Sequence, residues 1–359
     1  MSRHVGILTG GGDAPGLNAV IRAVVKYGVG QKRWLLTGVE DAFDGLIARP
    51  MRLKRLVPRS CGGLLQRGGT ILGTTNRGDP FAWRDGRDHA AEVRHELDRL
   101  GIEGLIVIGG DGTMRIADRL MREHGVNVVG VPKTIDNDLG ATDQTFGFLT
   151  AVDCVSDALD RLHTTAESHD RCIVVEVMGR DAGFIALHGG IAGGADVILL
   201  PELPWKLDRL RAKLEHRRQL GRPFSLIVVA EAARPEGSGD PKGLAGPMVV
   251  EALRRAEPDL DIRLTVLGHL QRGGSPNAFD RVLATRFGVT AVDLVQEGRW
   301  GQMVALRDGK VIGVPLADAV RQNRTVDLDG ELVNTALAVG VELGGELKGS
   351  RPAYGDFSA

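Results

Sequence analysis

The chain has 359 residues, enough for two domains, and a hydrophobic fraction of 43% that suits a globular protein. Its 45 Lys and Arg nearly balance 46 Asp and Glu, so no general attraction to nucleic acid or anionic lipid is built in, and no stretch approaches the roughly 18 apolar residues that span a membrane. Three scattered cysteines (Cys61, Cys154, Cys172) without a CxxC pair, and a start, MSRHVGILTGGG, without a signal peptide's apolar core, point to a reduced, cytoplasmic protein.

Along the chain, short β-branched runs lead into glycine loops and then into helical patterns. HVGIL passes through TGGGDAPG to LNAVIRAVV. A helical pattern with Val93, Leu97 and Leu100 at spacings of four and three stops at Gly101, as a C-terminal glycine predicts. GLIVIG passes through GDG to TMRIADRLMREHG, and at VPKTIDNDL, where Pro132 disfavours helix at Val131, the chain leaves its strand extended or in a turn. A domain boundary falls near 145 to 150, where the pattern restarts with a helix from about 147 to 165. RCIVVEVM, GRDAG and FIALHGGIA follow, then FSLIVVAE, then DIRLTVLGHL, QRGGSP and a long helical stretch. ARPEGSGDPKG (233 to 243) reads as an exposed loop, and MVALRDGKVIGVPL as a hairpin about its DG pair. No repeat with a period of 20 to 50 residues is present. This is the grammar of parallel α/β structure, whose strands are buried on both faces and whose ligand loops converge beyond their carboxyl ends.

Three loops can carry chemistry. TGGGDAPGLN follows a strand and opens a helix, a place for an anion or simply a tight turn. Leu17 and Asn18 stand where a Walker A motif needs Lys and Ser or Thr, and no GxGxxG occurs, so a P-loop NTPase or an NAD reader is disfavoured. GGDGT (109 to 113) lets phosphate approach the backbone while Asp111 could hold a magnesium ion, although a plain turn explains it too. In VPKTIDNDL, Asp136 and Asp138 would face the same way if the segment were extended. One could then take a proton from an attacking hydroxyl while the other orients it; an Asx-rich cap is the alternative. None of the nine histidines falls in an HExxH or Cys/His cluster, which disfavours a protein-built transition-metal site. Arg171, Arg180, Arg263, His269 and Arg272, all at strand ends, could together clamp a sugar phosphate.

In this order, TGGGDAPGLN, GGDGT, PKTIDND, EVMGRDAG and LGHLQRGGSP, spread from residue 5 to about 300, resemble the phosphofructokinase family. The resemblance implies an α/β fold of two Rossmann-like parallel-sheet domains with the active site in the cleft between them. A phosphoryl-donor domain would take residues 1–147 plus about 271–320, and a fructose 6-phosphate domain 148–270 plus about 321–359. The implied reaction is the glycolytic transfer of the terminal phosphoryl group of ATP to the 1-hydroxyl of fructose 6-phosphate, with Mg2+. Carried over residue by residue, Gly11, Gly12, Arg77, Gly110, Asp111, Gly112, Thr113 and Lys133 would line the donor site, Asp111 holding the metal. Asp136 would be the general base, with Asp138, Thr134 and Arg180 completing the catalytic set. Thr134, Ile135, Asp136, Met178, Gly179, Arg180, Glu231, His269, Leu270, Gln271 and Arg272 would hold the sugar phosphate. Arg171 and Arg263 match arginines that reach it from a neighbouring subunit, so a homodimer or homotetramer with shared active sites is implied.

The chain departs from the family pattern in three respects. ATP users of the family carry glycine at the positions of both Gly112 and Lys133, whereas pyrophosphate users carry Asp and Lys; this chain has the mixed, actinobacterial-type pair. Gly112 leaves room for the α-phosphate of ATP, so the resemblance favours ATP, with a pyrophosphate-dependent enzyme as the alternative. A non-catalytic sugar-phosphate-binding relative is a third reading, against which Asp111, Asp136, Asp138 and Arg180 are all present. The segment GTTNRGDPFAWRDGRDH is longer than in short bacterial members, and the last 35 residues or so match no motif. Arg22 and the Arg217, Arg218 and Arg222 cluster could line an effector phosphate site or form a solvated basic face.

Overall fold

The computed structural model describes residues 2–239 and 244–347, and the chain divides into two units, Met1–Thr150 with Arg272–Asn323 and Ala151–Gln271 with Arg324–Ala359. In chain order the strands are β1 (His4–Thr9), β2 (Leu35–Val39), β3 (Leu53–Arg55), β4 (Gly104–Gly109), β5 (Val128–Pro132), β6 (Cys172–Val177), β7 (Val197–Leu199), β8 (Ser225–Ala230), β9 (Ile262–Val266), β10 (Gln302–Arg307) and β11 (Lys310–Pro315).

Among the described residues the first unit holds a seven-stranded sheet in the order β11-β10-β5-β4-β1-β2-β3. Its interior pairs are parallel, while β2–β3 and β10–β11 close the two edges antiparallel. The period of two in the apolar runs sends alternate residues to opposite faces. Val5, Ile7, Ile106, Ile108, Val129 and Val131 share a core with the helices Leu17–Val24 and Ala278–Gln296. Leu8, Leu105, Val107 and Val128 share the other core with the helices Ala90–Arg99 and Asp111–His124. Both faces are therefore covered, which is why these strands read as continuous hydrophobic runs.

The helix Ala90–Arg99 buries Val93 and Leu97 and ends before Gly101 at φ 65°, as the spacing predicts. The predicted hairpin is β10–β11; Asp308 and Gly309 both adopt positive φ, 47° and 76°, the geometry a type I′ turn demands. β2, β3 and β7 have no counterpart in the sequence reading: β3 and β7, at three residues each, are too short to show a period, and β2 (LLTGV) interrupts its apolar run with Thr37 and Gly38. The long segment GTTNRGDPFAWRDGRDH is tied to its unit by buried Asp44, which accepts from Trp83 Nε1 at 2.9 Å and pairs with Arg84.

The second unit holds a parallel sheet, β7-β8-β6-β9. β6, β7 and β8 are buried throughout, whereas β9 lies at the edge and exposes Arg263, Leu264 and Val266. The helix Phe148–Ser168 leads into this unit and runs past the expected end near 165. Part of the motif-free C-terminal stretch packs here: buried Glu342 pairs with Arg209 at 2.8 Å and bridges to Val197 of β7. Residues 348–359 of that stretch, and residues 240–243 of the ARPEGSGDPKG loop, lie outside the described residues.

Of the basic cluster at 217 to 222, Arg217 turns inward, Arg218 is partly exposed and Arg222 is exposed. Arg217 is largely buried, ion-paired with Asp196 at 2.5 Å and bonded to Phe224 O, and Arg218 pairs with Glu257 at 3.1 Å. Arg22, in the other unit, lines a cavity of about 480 Å³ with Lys26 and Arg59. Among the described residues no helix is long and apolar enough to cross a membrane.

Candidate active site

In the first unit β1, β4 and β5 are neighbours, so the three loops singled out in the sequence leave adjacent strands at their carboxyl ends. Gly10 N donates to Ile108 O at 2.9 Å and Lys133 N donates to Gly109 O at 2.8 Å, which locks the loops side by side. Thr113 is buried beneath them: a Cβ on Gly10 would come within 2.8 Å of its side chain and one on Gly109 within 2.4 Å, so glycine is required at both. The Thr113 side chain thus packs beneath both glycines and is 7% exposed.

The first loop turns through Gly11 at φ 77° and reaches the helix Leu17–Val24 through Gly16 at φ 111°. Asn18 is fully buried. It takes Ile71 N at 2.9 Å and gives its amide to Arg67 O and Gly68 O, so it holds the 67–77 stretch beside the loop. Gly11 N then bonds Thr75 O at 3.1 Å, and Arg77, two residues on, stands exposed at this rim.

Asp111 is the first residue of the helix Asp111–His124, and Gly112 the second. A carboxylate there is favoured by the helix dipole and the unsatisfied N–H groups. A Cβ on Gly112 would meet nothing within 4 Å, so glycine at 112 leaves open space rather than relieving a clash. Gly110, the residue before the helix, has its would-be Cβ 3.3 Å from Lys133 O.

The PKTIDND segment is not extended, so the two aspartates are not paired by strand alternation. Asp136 N donates to Thr134 Oγ1 at 3.0 Å, Thr134 Oγ1 donates to Asp136 Oδ2 at 3.1 Å, and Asn137 turns left-handed at φ 55°. Such side-chain to backbone bonds compete successfully with strand geometry. Thr145 fixes the turn from outside, its N–H on Asn137 Oδ1 at 3.0 Å and its hydroxyl on Thr134 O at 2.8 Å. Asp136 and Asp138 are 3% and 5% exposed and Ile135 is 0% exposed, so a sugar could reach Ile135 only through its backbone.

Lys133 points away from the strand end toward the first loop, donating to Gly12 O. Arg272 approaches the same loop, its NH1 donating to Asp13 O at 3.2 Å and lying 2.7 Å from where a Gly12 Cβ would be. Burial first, and then the Arg272 charge, push the Lys133 ammonium down to about 8, while Asp136, Asp13 and Asp138 oppose the shift. The sign follows. Below pH 8 Lys133 is protonated in both folded and unfolded chains, and the folded chain bears the full cost of a buried charge. Between 8 and about 10.5 the unfolded chain binds more protons, so stability rises with pH through this group. Relative to Lys133→Met, the wild-type chain is expected to gain stability over that window; denaturation midpoints with a pH-independent difference would refute it.

In the second unit Met178, Gly179 and Arg180 follow β6. Gly179 sits at φ 147° and Arg180, a non-glycine, at φ 53°. Glu231, just after β8, holds this strained turn: its Oε1 accepts Arg180 N at 2.8 Å and Gly179 N at 3.2 Å. Buried Gln271 braces the turn from the other side, accepting Met178 N at 3.3 Å and donating to Gly268 O at 3.1 Å. His269 and Leu270 are exposed on the short turn Gly268–Arg272. Glu176, near the end of β6, accepts Gly246 N at 2.7 Å; burial, reinforced by the charge of Glu231, raises its carboxyl despite that bond.

Within the second unit, two members of the five-residue clamp lie apart from the Arg180 turn. Arg171 immediately precedes β6 and Arg263 is the second residue of β9, and both pair with Asp261, at 2.7 and 3.0 Å. They lie at the amino ends of the strands, whereas Arg180 and Glu231 lie at the carboxyl ends, a six-residue strand or roughly 20 Å away. Arg272 belongs to the first unit. The arginines share strand ends in sequence, but not the same end of the sheet.

Two residues near the loops were missed. Arg115 bonds Asp111, and Asn323 bonds both Arg115 and Asp138. The first was legible as an i, i+4 acid–base pair on one helix; nothing local marks the second.

Glycine loops and a helix N-terminus at the carboxyl ends of neighbouring parallel strands, carrying carboxylates and a buried lysine, define an α/β protein that handles phosphate. The family model for phosphofructokinase matches residues 4–295. The chain is 48% identical over 358 residues to the ATP-dependent 6-phosphofructokinase of Chloroflexus aurantiacus, covering 96% of this chain and 99% of that one. It is also 48% identical over 337 residues to a pyrophosphate–fructose 6-phosphate 1-phosphotransferase of Streptomyces coelicolor, covering 90% and 96%. Among solved structures, the phosphofructokinase of Pichia pastoris superposes with a TM-score of 0.81 at 33% identity, over 89% of this chain and 38% of that longer one. The chain belongs to the phosphofructokinase family.

Proposed function

We propose that this chain is an ATP-dependent 6-phosphofructokinase. The observation that carries the reading is the meeting, in the first unit, of Asp111 at a helix start, an open Gly112, and Lys133 with Asp136 and Asp138 on the neighbouring strand end. In this reaction the 1-hydroxyl oxygen of fructose 6-phosphate attacks the γ-phosphorus; that O–P bond forms as the bond to the β–γ bridging oxygen breaks, releasing ADP. Asp136 takes the hydroxyl proton, and the Thr134 hydroxyl holds one of its oxygens in place. Lys133 and the helix N-terminus offset the donor charge. In the second unit, the Arg180 turn held by Glu231 supplies the sugar-phosphate contact, together with exposed His269. On this reading Met1–Thr150 with Arg272–Asn323 is the donor unit and the other unit takes the sugar.

The donor set fits magnesium. Among the described residues no group of three or more His, Cys, Asp or Glu could cage a metal, and Mg2+ needs none: it keeps waters and binds through one or two carboxylates plus phosphate oxygens. Held by Asp111, the ion would neutralise charge on the β- and γ-phosphate oxygens.

Two further features belong to this reading. The distance between Arg171 with Arg263 and the Arg180 turn supports a sugar-phosphate site completed by a second copy, in a homodimer or homotetramer. The exposed edge strand β9, with Leu264 and Val266 37% and 52% exposed beside Arg263, is a surface that such a copy would cover. The free cysteines suit a reducing cytoplasm.

A pyrophosphate-dependent enzyme is the second reading, favoured by Lys133. One experiment separates them: fructose 1,6-bisphosphate formed from fructose 6-phosphate and Mg2+ with either donor, repeated on dilution of the protein. Product with ATP, at a specific rate that falls as the assembly dissociates, is expected. Product with pyrophosphate alone would overturn the donor, and a fully active monomer would overturn the shared site.

A further inference from the structure

A chain of hydrogen bonds that belongs to none of the sequence motifs links the two acidic loops of the first unit. Arg115 Nε donates to Asp111 Oδ1 at 2.7 Å, and Arg115 NH2 donates to Asn323 Oδ1 at 3.3 Å. Asn323 Nδ2 in turn donates to Asp138 Oδ2 at 3.4 Å. Asp111 is at the carboxyl end of β4 and Asp138 follows β5, so the chain spans from one strand end to its neighbour. An i, i+4 pair such as Asp111 with Arg115 is common on helices and by itself carries no function. What sets this one apart is the second arm of the guanidinium, which reaches a residue 208 positions away whose amide then turns its donor to Asp138. A planar guanidinium fixes the angle between its two bonds, and an amide fixes the angle between its acceptor and its donor. The terminal torsion of an aspartate is broad, and these bonds narrow the orientations that the two carboxylates take relative to each other.

We propose that Arg115 and Asn323 are positioning residues for phosphoryl transfer, setting the orientation of Asp111 toward the metal–phosphate group and of Asp138 beside the attacking hydroxyl. The proposal rests on the kinase reading above. Transfer between a metal-held donor and an activated hydroxyl depends on alignment, and a displacement of about 1 Å can cost on the order of 10²-fold in rate. Arg115 touches neither reacting atom; it acts through Asp111 and through Asn323.

The test compares Arg115→Met, Arg115→Lys, Asn323→Leu and the Arg115→Met/Asn323→Leu double variant. Arg115 is more than half exposed, so its loss leaves the fold intact, which thermal unfolding checks. Turnover and KM are measured, together with Mn2+ affinity by electron paramagnetic resonance in the presence of a non-hydrolysable ATP analogue. Each of Arg115→Met and Asn323→Leu is expected to lower kcat about tenfold with fructose 6-phosphate KM within about twofold, and the double variant to be no slower than the slower single. Arg115→Met weakens Mn2+ binding several-fold. Arg115→Lys, which keeps the charge beside Asp111 but lacks the second arm, restores Mn2+ binding and not kcat. Wild-type kcat in either single variant, or a double variant slowed by the product of the two effects, would overturn the proposal. A wild-type protein without kinase activity would overturn the functional reading instead, and unchanged Mn2+ affinity in Arg115→Met would then overturn the positioning of Asp111 as well.

Discussion

Replacing Asp136 by alanine is expected to lower turnover by roughly 10² to 10⁴, the contribution of a positioned base, while fructose 6-phosphate still binds. The side chain is 3% exposed and accepts the Thr134 hydroxyl at 3.1 Å. The turn that presents it does not depend on the carboxylate alone, because Asp136 N still bonds Thr134 Oγ1 and Thr145 still holds Asn137 and Thr134 from outside. The fold should therefore survive. Asp136→Asn sharpens the result: it keeps an acceptor for Thr134 and the volume, yet its amide cannot take a proton. Single-turnover rates and calorimetric binding of fructose 6-phosphate measure the two halves separately. Near-normal turnover in either variant would show that Asp136 is not the base.

The second large effect is at Gly112. An aspartate can be built there without strain, since an added Cβ has open space within 4 Å and acidic residues suit the first turn of a helix. Its cost falls on the donor. A second carboxylate beside Asp111, about 5 Å from a phosphate charge, is worth about 3 kcal/mol at an effective dielectric near 20. Water at this exposed position screens roughly half of that, leaving about 1.5 kcal/mol, or roughly tenfold. Gly112→Asp is thus predicted to lower kcat/KM for ATP by that factor without changing thermal stability, and Gly112→Ala to stay within about twofold. An unchanged ATP kcat/KM in the aspartate variant would remove the space-and-charge argument for ATP.

Much of both units was legible in the sequence, for local reasons. The strands that became β1, β4, β6 and β8 are apolar runs closed by glycine loops, and helices wind where the period changes to 3.6. The hairpin was legible because Asp308-Gly309 is a turn only residues tolerant of positive φ can make. The candidate site loops were legible because their glycines and carboxylates are crowded into five short motifs. The short strands β2, β3 and β7 were not, since they are specified by the neighbours they pair with.

Side-chain placements were harder to read, for a common reason. Thr113, Ile135 and Gln271 stand inside the motifs, and all three side chains are buried. A motif marks a place in the chain and does not say which way a side chain turns. The two aspartates of PKTIDND look like an alternating pair, but a threonine hydroxyl and a left-handed asparagine bend the segment.

The sequence by itself determined the parallel α/β class, the three loops at strand ends, the family and the set of acidic and basic residues that phosphate chemistry needs, because composition, period and motif order are properties of neighbours along the chain. Only the tertiary structure decided that Lys133 is buried against Gly12 and pushed down to about 8, that Arg171 and Arg263 lie at the far end of the sheet from Arg180, and that Arg115 and Asn323 tie Asp111 to Asp138. Desolvation, strand direction and a contact across 208 residues of sequence exist only once the strands have been ordered and their faces covered.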